Sequence, residues 1–201
     1  MKLLNFNSIS FLKSFSYVKD IDINFGSEIA LIGYSNTGKS TLINVLFNKK
    51  KISRVSKFPG STQLINFFQI NNSFRIIDLP GYGYSKFSKQ FKLKWIKEIK
   101  KYLLYRKCLI GVIILVDINF FFKKIDLKML HIIKKKKIKI IILLNKSDKI
   151  NNFLKKEKYI LAKKKILSLN IKADIQVFSS LKKIGISKLK NKINNLYINS
   201  L

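Results

Sequence analysis

One short segment constrains this 201-residue chain more than any other. From Gly33 to Ser40 it reads Gly-Tyr-Ser-Asn-Thr-Gly-Lys-Ser, which matches the P-loop pattern GxxxxGK[ST]. The apolar run Glu28–Gly33 leads into the pattern, and residues with helical spacing, Lys39–Phe47, follow it. Because this strand–loop–helix order is the context in which backbone N–H groups cradle phosphate, we expect a phosphate site here rather than a chance glycine turn.

The residue types in the loop predict which part of a nucleotide each would contact. Gly33 and Gly38 tolerate backbone torsions that other residues resist, so that successive N–H groups can point at one anion. Lys39 is expected to reach the β- and γ-phosphates, and the Ser40 hydroxyl to bind Mg²⁺.

Two later segments fit the same site. Asp78-Leu79-Pro80-Gly81 follows an apolar run, so that Asp78 can hold Mg²⁺ through a water and the Gly81 N–H can touch the γ-phosphate. Thr62 lies in the polar loop between the two motifs. We expect its hydroxyl to complete the Mg²⁺ shell only when the γ-phosphate is present, which makes Lys49–Thr62 a switch segment.

The base site is predicted from Asn145-Lys146-Ser147-Asp148, which follows the apolar run Ile138–Leu144. This is the NKxD pattern by which GTPases read guanine. Asp148 would accept hydrogen bonds from the guanine N1–H and 2-amino groups, which adenine lacks, so adenine would leave a buried carboxylate unpaired. Asn145 would tie the base site to the P-loop, and Lys146 would cover one face of the base. Phe178-Ser179-Ser180 fits a weaker motif that caps the guanine oxygen.

Hydrophobic periodicity predicts strands alternating with helices. The expected strands are Glu28–Gly33, Leu64–Ile70, Ser73–Asp78, Gly111–Asp117, Ile138–Leu144 and Ala173–Phe178. The expected helices are Lys39–Phe47, Phe91–Tyr105, Phe121–Ile133, Asn152–Leu169 and Ile186–Ile198. This order predicts a three-layer α/β fold of the P-loop NTPase type, with helices on both faces of a mostly parallel six-stranded sheet that has one antiparallel edge strand.

Composition adds one strong feature, a formal net charge of +31. A surface this basic attracts polyanions such as RNA through counterion release. The abundance of Lys, Asn, Ile and Phe also fits drift in an AT-rich genome, and both explanations stay open. The single cysteine, Cys108, excludes an internal disulfide, and the apolar run Leu109–Val116 is too short to span a bilayer. We therefore expect a cytoplasmic protein without a membrane partner.

With these motifs in place, the chain resembles the EngB/YihA-type GTPases, also called YsxC, over nearly its whole length. The stretches that carry the resemblance are Ser35–Asn44, Pro59–Phe68, Asp78–Tyr84 and Phe178–Lys183. There are departures, because Tyr34 stands where the family usually has Arg and Asn119 replaces a frequent Arg after Asp117. The resemblance implies a Ras-like GTPase fold and a single domain spanning residues 1–201, with the first ~25 residues as a family-specific extension.

The resemblance also implies a role in assembling the large ribosomal subunit. The partners expected on this basis are GTP and GDP, precursors of the large subunit and its rRNA, and the chain is expected to be a monomer. The predicted nucleotide-binding residues are Gly33, Tyr34, Ser35, Asn36, Thr37, Gly38, Lys39, Ser40, Thr41, Gly60, Ser61, Thr62, Gln63, Leu64, Asp78, Leu79, Pro80, Gly81, Asn145, Lys146, Ser147, Asp148, Phe178, Ser179 and Ser180. Lys39, Thr62 and Gly81 are the predicted catalytic residues, and Ser40 and Thr62 the predicted Mg²⁺ ligands.

Two hypotheses concern hydrolysis. Many regulatory GTPases carry a Gln after the DxxG glycine to orient the attacking water, whereas this chain has Tyr82. Intrinsic hydrolysis is therefore expected to be slow until a partner completes the site. Asn36 is expected to help hold a K⁺ near the phosphates, the alternative being that it only supports the loop.

Three functions remain open from the sequence. The first is a GTPase switch in ribosome assembly. The second is a GTPase of another pathway, and the third is an RNA-binding scaffold that keeps GTP without turning it over.

Overall fold

The computed structural model describes residues 3–49, 64–83 and 88–201. Seven strands and five α-helices are present among them, together with three single 3₁₀ turns. The strands are β1 (Ser10–Phe15), β2 (Ser27–Gly33), β3 (Ile65–Asn71), β4 (Phe74–Asp78), β5 (Leu109–Asp117), β6 (Lys139–Asn145) and β7 (Asp174–Val177). The helices are α1 (Lys39–Leu46), α2 (Lys89–Tyr105), α3 (Lys124–Lys134), α4 (Asn152–Ser168) and α5 (Ile186–Ile198).

All seven strands form one sheet in the order β1-β3-β4-β2-β5-β6-β7. Strands β4, β2, β5, β6 and β7 pair in parallel, whereas β3 is antiparallel to both of its neighbours, β1 and β4. The predicted fold class is confirmed, but the strand count differs. The sheet has seven strands rather than six, and the antiparallel strand lies inside the sheet because β1 covers its outer side.

The central strands are buried on both faces, which explains their unbroken apolar sequences. Along β5, Val112 and Ile114 face a core shared with helices α2, α3 and α4, while Ile113 and Leu115 face a second core shared with α1 and α5. Two helical layers therefore enclose the sheet. The alternation along one strand assigns successive residues to opposite cores.

Helix α3 begins three residues later than the sequence pattern predicts. Phe121 has a positive φ of 56°, which no helical residue adopts, and the Asp126 carboxylate accepts a hydrogen bond from the backbone N–H of Lys123 at 2.8 Å. An acidic side chain in the first turn that bonds back to the preceding backbone stabilises a helix start. The helix accordingly begins at Lys124.

A buried polar cluster closes the end of the sheet opposite the carboxyl ends of its parallel strands. The Glu28 carboxylate accepts hydrogen bonds from the Tyr102 hydroxyl at 2.6 Å and from the Arg106 Nε at 2.8 Å. It also lies 3.6 Å from the Arg75 Nε. One buried carboxylate thus lies beside two guanidinium groups and links β2 to β4 and to the end of α2.

Candidate nucleotide-binding site

The P-loop curls at the carboxyl end of β2. Positive φ values of 66° at Asn36 and 99° at Gly38 reverse the chain, and the Thr37 hydroxyl closes the turn by donating to the Tyr34 carbonyl at 2.8 Å. A side chain at Gly38 would lie 2.5 Å from the Asn145 Nδ2, so glycine is required there by both its torsion and its neighbour. The loop opens directly into α1, whose first residue is Lys39.

Lys39 and Asp78 form the charged centre of the site. Burial lowers the pKa of Lys39, although the Asp78 carboxylate opposes this shift. Burial also raises the pKa of Asp78 to about 6, with Lys39 acting in the opposite direction. Neither charge is fully compensated, which favours the arrival of a phosphate at the lysine and of a cation at the carboxylate.

Asp78 carries the clearest sign of a missing ligand. Its side chain is buried, yet its Oδ1 atom has no hydrogen-bond partner within residues 3–49, 64–83 and 88–201. Buried polar atoms are nearly always paired, so an unpaired carboxylate oxygen at a predicted Mg²⁺ site fits a metal-bound water. Ser40 lies in the first turn of α1 and is half-buried. The residues present therefore fit Mg²⁺.

The DxxG segment runs beside the P-loop. The backbone N–H of Ser35 donates to the Tyr82 carbonyl at 2.9 Å, and Tyr34 and Tyr82 form an isolated parallel bridge. A side chain built on Gly81 would begin 2.8 Å from the Lys39 Nζ. Gly81 thus lies next to the lysine expected to bind the γ-phosphate.

Tyr82 occupies the position where many GTPases carry a catalytic Gln. Its ring is 3% exposed, and its hydroxyl donates to the Asp126 Oδ1 at 2.7 Å. Burial raises the pKa of Tyr82 well above its usual value, and the nearby Asp126 carboxylate adds to the shift, so the phenol stays protonated. The hydroxyl of Tyr82 is therefore directed at α3 in this structure.

Asn145 joins three loops at the carboxyl edge of the sheet. Its Nδ2 donates to the Thr37 carbonyl of the P-loop at 2.7 Å. Its Oδ1 accepts from the backbone N–H of Ser180 at 2.9 Å and from the Ser180 hydroxyl at 3.1 Å. The P-loop, the NKSD loop and the loop after β7 are therefore held in one arrangement by a single amide.

Asp148 and Ser147 bind the same third loop. The Ser179 hydroxyl donates to the Asp148 Oδ1, and the Ser147 N–H donates to the Phe178 carbonyl at 3.0 Å. The side chain of Phe178 itself is in the core, as is that of Leu79, so both residues can offer only their backbone groups to a nucleotide.

Three other predicted contact residues differ in exposure. Pro80 is buried, Thr41 is exposed on α1, and Leu64 is half-buried just before β3.

Four predicted contact residues, Gly60, Ser61, Thr62 and Gln63, lie outside the described residues. The remaining motifs all reach the same edge of the sheet.

Sequence reasoning missed Asp117, the last residue of β5. Its Oδ2 lies 2.7 Å from the Lys146 Nζ, and its Oδ1 accepts from the backbone N–H of Asn119 at 3.0 Å. Burial would raise the pKa of Asp117, but the hydrogen bonds from Lys146 and Asn119 outweigh it and the pKa is lowered. The sequence places Asp117 at the end of a strand, but it does not show that Asp117 pairs with Lys146 from the neighbouring strand end.

A cavity of about 230 Å³ separates the P-loop from the segment that follows β5. Residues 34–37 line one wall, and Asp117, Phe120, Asp126 and Lys146 are among those lining the other. The cavity therefore extends from Lys146, which is expected to cover the base, to Asp126, which accepts the hydrogen bond from Tyr82.

The P-loop at the end of β2, Asp78 at the end of β4 and the NKSD loop after β6 meet at one edge of a mostly parallel sheet. This arrangement is that of the P-loop GTPases. The family described as "50S ribosome-binding GTPase" matches residues 28–146, more than half of the chain. The chain belongs to the EngB family of GTP-binding proteins, as its close relatives show.

One such relative is the probable GTP-binding protein EngB of Buchnera aphidicola subsp. Acyrthosiphon pisum (strain Tuc7). It is 49% identical over 197 residues, which cover 98% of this chain and 96% of the relative. The crystal structure of a probable GTP-binding protein engB superposes with a TM-score of 0.71 at 25% identity, covering 86% of this chain and 100% of that one. The resemblance predicted from the motifs is thereby confirmed.

A more distant fold match is the structure of Era in complex with MgGDPNP and nucleotides 1506–1542 of 16S ribosomal RNA. It superposes with a TM-score of 0.64 at 23% identity, covering 87% of this chain and 57% of that one. Within the part of the chain that the structure describes, no helix is long and apolar enough to cross a membrane.

Proposed function

We propose that the chain binds GTP and GDP with Mg²⁺, hydrolyses GTP slowly on its own and acts in the cytoplasm, as a monomer, as a nucleotide-dependent switch in assembly of the large ribosomal subunit. The observation that carries the nucleotide part is the Asn145 amide, which joins the P-loop to the loops expected to hold guanine. Asp148 follows it by three residues and supplies the carboxylate that selects guanine.

The phosphate end of the site follows from the residues around Lys39. Lys39 would bind the β- and γ-phosphates, and the Gly81 N–H would contact the γ-phosphate from the DxxG segment. Mg²⁺ would be held by the Ser40 hydroxyl, by Asp78 through a water and by Thr62. When bound, this ion offsets the negative charge on the phosphate oxygens during transfer.

The ribosomal part of the proposal is supported by the family description and by charge. Helices α2, α3 and α4 cover one face of the sheet and contain six, three and six lysines. On the other face, α5 contains three lysines and α1 only Lys39. A face with that density of cations suits the phosphate backbone of rRNA. Era, which shares the fold, was solved with ribosomal RNA.

Two measurements test the proposal. Titration with fluorescent GDP and a non-hydrolysable GTP analogue is expected to give micromolar or tighter binding that ATP does not compete away. Co-sedimentation with large-subunit precursors is expected to depend on the GTP analogue and to weaken as salt rises. Guanine binding without any association with these particles would instead favour a GTPase of another pathway.

One observation favours a second candidate, a scaffold that binds GTP and RNA without turning GTP over. The Tyr82 hydroxyl donates to Asp126, which supports the view that this position does not supply the water-orienting group. Single-turnover assays with and without large-subunit precursors separate the two functions. Stimulation by the particles supports the switch, and an unchanged, near-zero rate supports the scaffold.

Asn36 extends the proposal to K⁺. Its side chain is exposed on the P-loop and lines the cavity, where its amide oxygen could serve a cation beside the phosphates. Hydrolysis is expected to be faster in K⁺ than in Na⁺ at equal ionic strength. Equal rates would leave Asn36 as a support of the loop.

A further inference from the structure

The segment after Asp78 is clamped against the P-loop. The Ser35 N–H donates to the Tyr82 carbonyl at 2.9 Å, and the Tyr82 N–H donates back to the Gly33 carbonyl at 3.4 Å. Gly83, with a φ of 99°, packs directly on the Tyr34 ring, which leaves no room for a side chain there. The backbone of this segment therefore follows the P-loop closely.

A second set of contacts ties the same segment to α3. The Tyr82 hydroxyl donates to one oxygen of Asp126, and the other oxygen accepts from the Lys123 N–H at 2.8 Å. The Lys123 Nζ lies 3.4 Å from the centre of the Tyr34 ring, which returns the contacts to the P-loop. Tyr34, Tyr82, Asp126 and Lys123 thus form a closed ring of contacts, which we call the α3 clasp.

The α3 clasp fixes the place of Gly81. Gly81 precedes Tyr82 and lies beside Lys39, so contacts that hold Tyr82 restrict the movement of the peptide that would meet the γ-phosphate. Tyr82 and Asp126 are 3% and 2% exposed, so their hydrogen bond is shielded from water. Buried bonds to a charged acceptor are the strong ones, and losing one partner leaves the other unpaired.

We propose that Asp126 is a positioning residue for γ-phosphate recognition. Through the Tyr82 hydroxyl it holds the Gly81 peptide beside Lys39, and so sets the preference of the site for a nucleoside triphosphate over a diphosphate. By reciprocity, the γ-phosphate stabilises the first turn of α3, which transmits the nucleotide state to the face of the sheet covered by α2, α3 and α4. This inference rests on the guanine-nucleotide binding in the proposed function, but not on its ribosomal role.

A purely structural bond would behave differently. Such a bond would stabilise the fold. Its loss would change the affinities for the triphosphate and the diphosphate by the same factor, because neither nucleotide contacts it. A positioning role changes the affinity ratio, defined here as the affinity for the GTP analogue divided by the affinity for GDP, since GDP has no γ-phosphate to meet Gly81. The affinity ratio is therefore the informative quantity.

The test compares Tyr82→Phe with Tyr102→Phe by titration with fluorescent GDP and a non-hydrolysable GTP analogue. Both changes delete one hydroxyl from a buried tyrosine–carboxylate pair, but Tyr102 bonds Glu28 at the opposite end of the sheet. Tyr82→Phe is expected to weaken the GTP analogue about 5- to 20-fold and GDP less than about 2-fold. Tyr102→Phe is expected to leave the ratio at its wild-type value.

A double-mutant cycle tests whether Tyr82 and Asp126 act through each other. Asp126→Ala is expected to lower the ratio as Tyr82→Phe does, and the double variant to lower it no further. Additive effects, or a ratio unchanged in Tyr82→Phe, would overturn the inference. No ribosomal particle takes part in these titrations, so co-sedimentation can fail while the affinity ratio still supports the α3 clasp.

Discussion

The Nδ2 of Asn145 lies 2.7 Å from the carbonyl oxygen of Thr37, although 108 residues separate them in the chain. This hydrogen bond links the carboxyl end of β6 to the P-loop after β2, across the intervening strand β5. The same side chain accepts from Ser180 on its other side. The phosphate and base halves of the site are therefore not independent.

Replacing Asn145 with Ala should weaken GDP and GTP alike. The change leaves the Thr37 carbonyl and the Ser180 N–H unpaired and frees the loops from each other, so we expect at least about a 10-fold loss of affinity for both nucleotides. Fluorescent-nucleotide titration measures the loss. Asn194→Ala is the matched control, because Asn194 is another buried amide and accepts from the Leu4 N–H at 3.0 Å, away from the site. An equal loss in both variants would mean that affinity merely follows stability.

Replacing Asp148 with Asn should change the base that the site accepts. An amide cannot accept from both the N1–H and the 2-amino group of guanine, but it can donate to the 2-oxo group of xanthine. We expect GTP affinity to fall about 100-fold or more, with xanthosine triphosphate binding better than to the wild type. Competition titrations measure both affinities. Asp22→Asn, which removes an exposed carboxylate paired with Lys13, should change neither. Retained GTP binding in Asp148→Asn would contradict the assigned base site.

The raised pKa of Asp78 predicts a pH dependence of stability in nucleotide-free, Mg²⁺-free buffer. Its pKa is about 6 in the folded state against 3.8 for the ordinary carboxyl, so between pH 4 and 6 the folded chain binds more protons than the unfolded chain. The stability that this group contributes is fully present below the unfolded pKa of 3.8 and is lost as pH rises through about 6, by up to about 3 kcal/mol over the whole range. Asp78→Asn should remove this slope in urea unfolding measured across the range. Parallel curves for the two proteins would show that Asp78 does not titrate as its burial predicts.

Strand β1 should contribute substantially to the stability of the domain. Phe15, 4% exposed, packs edge-on against Phe67 with the ring centres 5.0 Å apart, whereas Phe11 on the same strand is 54% exposed. Phe15→Ala is expected to cost about 3–4 kcal/mol and Phe11→Ala less than about 1 kcal/mol. Urea denaturation followed by circular dichroism measures both. Similar small costs would mean that β1 is a dispensable extension.

The placement of the candidate site segments was predictable wherever a motif is contiguous. Gly33–Ser40 and Asn145–Asp148 each combine a strand end with a loop whose residue types are those expected for a phosphate or guanine site, and parallel strands bring those ends to one edge. The apolar run Gly111–Asp117 likewise falls within the observed β5, Leu109–Asp117. Local pattern and tertiary structure agree there because both faces of these strands are buried.

The features that sequence did not predict are strand β1 and the long-range contacts of the site, which no local sequence pattern indicates. Strand β1 was missed because four of its six residues are exposed, so it lacks an apolar run. Tyr82 and Asp126 are 44 residues apart, and Asp117 and Lys146 belong to neighbouring strand ends. The sequence shows a Tyr where many GTPases carry a Gln, but only the packing of α3 explains where the Tyr82 hydroxyl lies.

Strand β1 also bears on how this chain behaves at high concentration. Among the described strands it forms one outer edge of the sheet, where a neighbouring molecule could add a strand, and its pairing with β3 shifts register between Phe11 and Lys13. A bulge and a lysine at an edge both discourage such addition, and β7 at the other edge has only four residues. In a chain rich in β-branched and aromatic residues, these features at the two edges formed by the described strands are expected to disfavour edge-to-edge pairing between copies.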